Sequence, residues 1–419
     1  MIDRSFALLL PLVALTACNP DPEPEPGDPC EQSGNICTWL GKPGVAGVSG
    51  EGLDRRKTWL YLPVDISFRA DGTAVYPDYN NHRVRMIDPD GLVHTVSGTG
   101  MLGDGPNTIG SVTNCWEGCD SLKSAWNHPT EAIFNPADDT QVWVAAWHNS
   151  RVNVIDTLAN QMTWFAGTGG RSYGATDVDA DGNFLDDAIM DLPSSLAFAD
   201  DGTLYFADQA NHLIRRINPD GSIEVVAGEP RHAGFDGDGG PASEAHLHGH
   251  TDQKADPGSK MALDGNLLYF TDTVNGVIRV IDLDTMTVDH VAGKYESLGL
   301  TTYVDAVTGV SYEADAGSVT GYVDGPAEQA VLNTPRDIAV GIDGEIYVAE
   351  PKNNCVRVVG TDGVVSTFAG QCTGEPGFDG DGGPAADSVL NDPFGVSVDF
   401  EGNVYISDTN NHVIRRVKH

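Results

Sequence analysis

The chain has 419 residues with 24 basic and 61 acidic side chains, a formal net charge of −37. That surplus repels phosphate backbones and anionic headgroups, which sets aside nucleic-acid binding and adsorption to an anionic membrane surface. With 40% hydrophobic residues, 49 Gly and 24 Pro, the chain can build a core and turn often, as many short strands require.

At the N-terminus, Arg4 precedes an apolar stretch from Phe6 to Leu15. It is placed like a secretory signal and is too short to span a bilayer as a helix. Leu15-Thr16-Ala17-Cys18 follows. This resembles the lipobox of bacterial lipoproteins, which implies that residues 1–17 are removed and that Cys18 carries a lipid. The alternative is an ordinary secretory signal with an incidental Cys. Asn19 in place of Asp points to the outer membrane. Residues 18–35 read as an acidic, Pro-rich tether, stiffened by proline and extended by like charges. The expected location is the bacterial cell envelope, with the membrane reached only through the lipid.

Setting Cys18 aside leaves six cysteines, an even number suited to an exported protein. Proximity suggests the pairs Cys30–Cys37, Cys115–Cys119 and Cys355–Cys372, among fifteen pairings that six cysteines allow.

From residue 36 the chain repeats. Six related units are seen, from LPVDISFRADGTAVYPDYNNHRVRMI at 62–87 to DPFGVSVDFEGNVYISDTNNHVIRRV at 392–417. The unit at 129–155 is the most divergent. The equivalent turn residues are Gly72, Asp139, Gly202, Gly265, Gly344 and Gly402. They lie between 58 residues (344 to 402) and 79 residues (265 to 344) apart, so insertions separate a common core. Each unit reads as four alternating strands. An Asn/Asp-rich reversal joins the second and third, and the fourth ends in Ala-Gly or Ser-Gly, as at Val226-Ala227-Gly228.

Four-stranded sheets that cannot bury both faces alone pack radially. The last unit stops after its third strand. Ile36-Cys37-Thr38-Trp39-Leu40-Gly41 has the pattern of the fourth strand it lacks. The expected fold is therefore all-β: a six-bladed propeller of four-stranded antiparallel blades over residues 36–419, closed by an N-terminal strand completing the last blade. Asn211-His212-Leu213, with the near copies Asn411-His412-Val413 and Asn81-His82-Arg83, resembles the NHL repeats named for this tripeptide. The resemblance implies the propeller and says little of activity.

Candidate sites are few. Asp177, Asp179, Asp181 and Asn183, with Gly182, resemble the start of a Ca²⁺ loop, although Ala188 stands where a bidentate Glu would. His246, His248 and His250 alternate along one segment and would share a side, as Zn²⁺ ligands do. Some NHL-like propellers resemble lyases that use histidine-held metal. Acid-glycine loops recur between units, as Asp236-Gly237-Asp238 and Asp379-Gly380-Asp381, and read either as chelators or as turns whose Asp caps backbone amides. The repeated histidines His82, His212 and His412 read as structural. No cofactor is required, Ca²⁺ being the one considered. No catalytic residue is assigned, because nucleophile-elbow, P-loop and dinucleotide-binding motifs are all missing. The reading is a monomeric, non-enzymatic binding or scaffold module that takes a protein, peptide or glycan on its loop-rich face. The alternative is a metal-dependent lyase or lactone-hydrolase-like enzyme at the propeller axis.

Overall fold

The computed structural model describes residues 27–106, 114–170, 185, 187–230, 232–250, 257–304, 311–372 and 374–419. Six antiparallel sheets stand as the blades of a β-propeller. Blade 3 shows the plain pattern, Pro193–Phe198, Leu204–Asp208, Leu213–Ile217 and Ile223–Ala227, from the inner strand outwards. The sequence-predicted strands are in place with boundaries moved by a residue or two. Alternate side chains of each sheet pack against the neighbouring blade. Val226, Ala227 and Ile214 of blade 3, for instance, share one cluster with Leu268, Phe270 and Ile281 of blade 4.

Blade 6 is assembled from both ends of the chain. Pro393–Val398, Val404–Asp408 and Val413–Val417 come from the C-terminus, and Asn35–Gly41 adds the outer strand. Ile36 pairs with Val417 and Gly41 with Val413. The Cys30–Cys37 disulfide anchors the incoming segment to this strand. Disulfides also join Cys115 to Cys119 and Cys355 to Cys372.

Five blades carry a fifth strand that four-stranded units do not predict. The interblade segment runs along the outer edge of the blade it enters. Gly240–Pro241 pairs with Val288 and Thr287, and Gly383–Pro384 with Ile36 and Asn35. These short additions cover hydrogen-bonding edges that would otherwise be open to another chain. A two-stranded hairpin, Leu300–Val304 with Ser311–Asp315, stands in the loop between blades 4 and 5.

The turn between second and third strands is the same device in five blades, while blade 4 makes a plain turn that ends on Gly276 at φ 67°. A single 3₁₀ turn such as Gln209–Asn211 ends on a residue in the left-handed region, His212 at φ 60°. The Gly that closes each fourth strand passes directly over this turn. A Cβ on Gly228 would lie 2.1 Å from the His212 carbonyl oxygen, and one on Gly98 2.6 Å from that of His82. The recurring Ala-Gly and Ser-Gly pairs are thus places where only glycine fits.

Candidate functional site

The repeated polar residues stitch the ring. The Asp that ends the second strand accepts from the amide of the segment entering its own blade: Asp208 from Asp191 at 2.7 Å, Asp272 from His248 and Asp408 from Asn391, both at 2.8 Å. The Asn of the turn bridges that Asp and a carbonyl of the entering loop, as Asn411 does with Asp408 and Gly377. The turn His reaches the next blade. His412 Nδ1 accepts from Leu62 N at 3.4 Å, and His212 Nδ1 from Gly249 N at 3.1 Å. In blade 5 the Oδ1 of Asn354 does the same for Asp392 N. Burial pushes His82, His212 and His412 below the usual histidine pKa, which keeps them neutral acceptors.

The acid-glycine loops belong to this scaffold. The third-strand arginines Arg279, Arg357 and Arg415 are fully buried. Arg279 pairs with Asp238 at 2.7 Å and Asp272 at 3.5 Å; Arg415 pairs with Asp381 at 2.7 Å and Asp408 at 3.8 Å; Arg357 pairs with Asp324 and Glu350. One carboxylate of each loop is therefore committed to a guanidinium, which supports the structural reading of these loops over chelation. Blade 2 replaces the Asp by Ala146 and the Arg by Asn153. The charge is lost from both partners together, as desolvation of an unpaired ion demands.

Four charged residues at or near the starts of first strands, Asp65, Glu131, Arg336 and Asp337, are all buried. Asp65, Glu131 and Asp337 lie on the floor of a cavity of about 550 Å³ enclosed by the first strands of the six blades. The wall mixes aliphatic side chains with Ser67, Ser397 and Asp399, and towards the turns between first and second strands Phe68, Phe134, Phe198 and Phe400 form the rim with Ile342. Phe400 and Ile342 are 68% and 55% exposed at the mouth. Because strand direction alternates, this mouth is opposite the face that carries the histidine turns and long loops.

Each floor carboxylate is built in. Glu131 accepts from Leu196 N of the next blade and lies 3.6 Å from the Lys260 ammonium, which also donates to Thr130 O at 3.1 Å. Asp337 accepts from Val396 N at 2.9 Å. Burial is the main influence on both, and it raises Glu131 and Asp337 well above the usual carboxylate range. Asp65 differs. Its Oδ1 receives a 3.4 Å bond from Ser397, while its Oδ2 is buried without a partner. Lys260 stands directly before the first strand of blade 4, Met261–Asp264, without an acid beside it in sequence to announce the pairing.

The predicted metal sites fare unevenly. Asp177, Asp179, Asp181 and Asn183 lie outside the described residues, as do Cys18 and the signal-like segment. The three alternating histidines are not brought together. His246 turns to Glu229 and Asp236, at 2.8 Å from each. His248 is buried with its ring 5.6 Å from that of His212. The intervening Gly249 gives its amide to His212, which ties the segment into the ring scaffold. Among the described residues, metal-capable atoms gather at Glu229, His232 and His246.

No protein-family model matches the sequence. The chain is 28% identical over 382 residues to Teneurin-m of Drosophila melanogaster, covering 86% of this chain and 12% of the fly protein. It is 25% identical over 306 residues to NHL repeat-containing protein 2 of Bos taurus, covering 67% of this chain and 36% of that protein. It thus spans a minor part of these relatives. Among solved structures, a structural genomics protein of unknown function from Bacteroides thetaiotaomicron superposes with a TM-score of 0.60 at 17% identity, over 91% of this chain and 75% of that one. An auxiliary nutrient binding protein from the same organism gives 0.57 at 15% identity, with the same coverage. These structures share the architecture. With its six blades, its Asn-His turns at equivalent positions and a relative named for the same repeat, the chain is an NHL-repeat-like β-propeller.

Proposed function

We propose that this propeller is a binding module of a bacterial cell-envelope protein that takes a small organic amine with an apolar body in its axial funnel. The observation that carries the reading is the unpartnered Asp65 Oδ2 on the floor of a cavity rimmed by phenylalanines. A buried acceptor without a donor is costly, and a ligand N–H would satisfy it. The chain as a whole carries a net charge of −37, which draws a cation towards the funnel. The phenylalanine rim suits its apolar body. The disulfides fit an oxidising compartment, and the lipobox-like segment around Cys18 fits anchoring there. The auxiliary nutrient binding protein of similar fold is consistent with a binding role.

The loop-rich face favoured by the sequence offers less towards the axis, because one carboxylate of each acid-glycine loop and the turn histidines are spent on holding blades together. An axial enzyme has one observation in its favour. Glu131 and Asp337, raised by burial, would hold protons near neutrality as a general acid must. The described axial acids form no cluster of metal-ligating atoms, which supports binding over the metal-dependent lyase.

Thermal shift and calorimetry with phenethylamine, 2-phenylethanol and cellobiose test the reading. The amine should stabilise the wild type, and Asp65→Asn and Phe400→Ala should weaken the effect. A preference for cellobiose would replace the amine with a glycan. Equal shifts in wild type and Asp65→Asn would remove the funnel from consideration. Intact mass of the mature protein, with and without Cys18→Ser, tests the lipid.

A further inference from the structure

We infer that Glu229, His232 and His246 form a Zn²⁺ site in the loop between blades 3 and 4, with Asp236 orienting His246. The arrangement is independent of the funnel. His232 Nδ1 and His246 Nε2 both point at Glu229 Oε2, at 2.9 and 2.8 Å. The three ligand atoms lie within 4.8 Å of one another. A tetrahedron with bonds of 2.0–2.1 Å separates its ligand atoms by about 3.3 Å, so the set opens by roughly half an ångström to admit the ion. The donors, two imidazoles and one carboxylate, are those that Zn²⁺ takes when it keeps a fourth position for water or a partner's side chain.

The supporting contacts are the second reason. Asp236 holds the other nitrogen of His246, Nδ1, at 2.8 Å and also accepts from the His246 amide at 3.0 Å. A carboxylate behind a histidine fixes the tautomer that offers its far nitrogen to a metal. The loop is then locked from beneath. Arg279, fully buried, donates to the carbonyls of Asp236 at 2.6 Å and His246 at 3.0 Å. Phe235, between Gly234 and Asp236, is stacked on Tyr295 with centroids 3.9 Å apart. The Ala233–Leu247 bridge sets the register of the two segments. The His246 side chain is 23% exposed and that of Glu229 58%, so an ion can enter from solvent onto a site whose backbone is already held.

The site takes one of the three histidines that alternate in sequence and replaces the other two with Glu229 and His232 from the preceding turn. The probe is ZnCl₂ titrated calorimetrically into the chelator-stripped full chain, with Co²⁺ absorption reporting tetrahedral geometry. One equivalent should bind. His232→Ala and Glu229→Gln should abolish it, Asp236→Asn should weaken it 10- to 100-fold, and His248→Ala should leave it unchanged. Circular dichroism verifies that each variant is folded. Absence of uptake by the wild type, or uptake that survives both His232→Ala and Glu229→Gln, overturns the assignment.

Discussion

The amide of Leu62 donates to Nδ1 of His412 across the junction of blades 6 and 1. The last turn of the chain thereby holds the entry to the first full repeat. The same bond recurs from Gly249 to His212, and from Asp392 to the side-chain oxygen of Asn354. It needs an acceptor on a residue that tolerates the left-handed region, with His412 at φ 59° and Asn354 at φ 52°. His412→Asn should therefore stay within about 0.5 kcal/mol of wild type. His412→Ala should lose about 1–3 kcal/mol, from the unsatisfied amide and the strained backbone. Urea denaturation of both variants checks this.

Arg415→Ala should cost about 3–5 kcal/mol, because it leaves Asp408 without its buried counter-charge and the carbonyls of Val389 and Asp379 without the guanidinium donor. The double change Arg415→Asn with Asp408→Ala, which copies blade 2, should cost less than the single change. A double-mutant cycle by chemical denaturation measures the coupling, and additive losses would contradict the pairing.

Burial raises Asp408 to about 7 and Asp78 to about 6. Their unfolded values lie near 4, so between roughly pH 4 and 7 the folded state binds more protons. Stability contributed by these groups is complete below pH 4 and falls as pH rises to 7. His212, lowered by burial, acts in the opposite sense: its contribution is complete above about 6.5 and falls as pH drops below that. Thermal melts at pH 5 and pH 8 should show a shallower fall in stability with rising pH for Asp408→Asn than for wild type. For His212→Asn the fall should be steeper, because an opposing contribution is removed.

Removing the Cys30–Cys37 disulfide by the double Ser change should cost roughly 2–3 kcal/mol by the loop-entropy estimate. Deleting residues 27–41 should do far more, since it exposes the whole third strand of blade 6. Limited proteolysis should then cut within 404–419 in the deletion variant and spare that segment in the disulfide variant.

Much of the fold was legible because turn chemistry and strand alternation are local, and six copies average out divergence at any one. The clasp was legible because Ile36–Gly41 carries the pattern the last unit lacks. The disulfides followed from proximity. What escaped depends on which residues meet across the ring. Asp238 and Asp381 look like chelators until Arg279 and Arg415, on the third strand that follows each loop, are seen to reach them. A signal was present in the sequence: an acid at the end of the second strand and an Arg seven residues on occur together in five units, and at those two places the unit at 129–155 has Ala146 and Asn153. The axial cavity was not legible for a related reason. Loop length drew attention to one face, while the open space depended on how far the inner strands spread at the other. His246, His248 and His250 misled because alternation in sequence does not show that His246 goes to Glu229 and Asp236 while His248 packs beside His212.

The clasped sixth blade also sets an order of events. Asn35–Gly41 leaves the ribosome first among the propeller strands, yet its partner Val413–Val417 leaves last. An early-made edge must wait, unpaired, through synthesis of every other blade before it is housed. That delay exposes Ile36 and Leu40 to wrong partners, and the five other blades must assemble around a gap. The chain closes like a necklace whose catch is fastened after the final bead, so cooperativity of the whole ring is reserved for its last few residues.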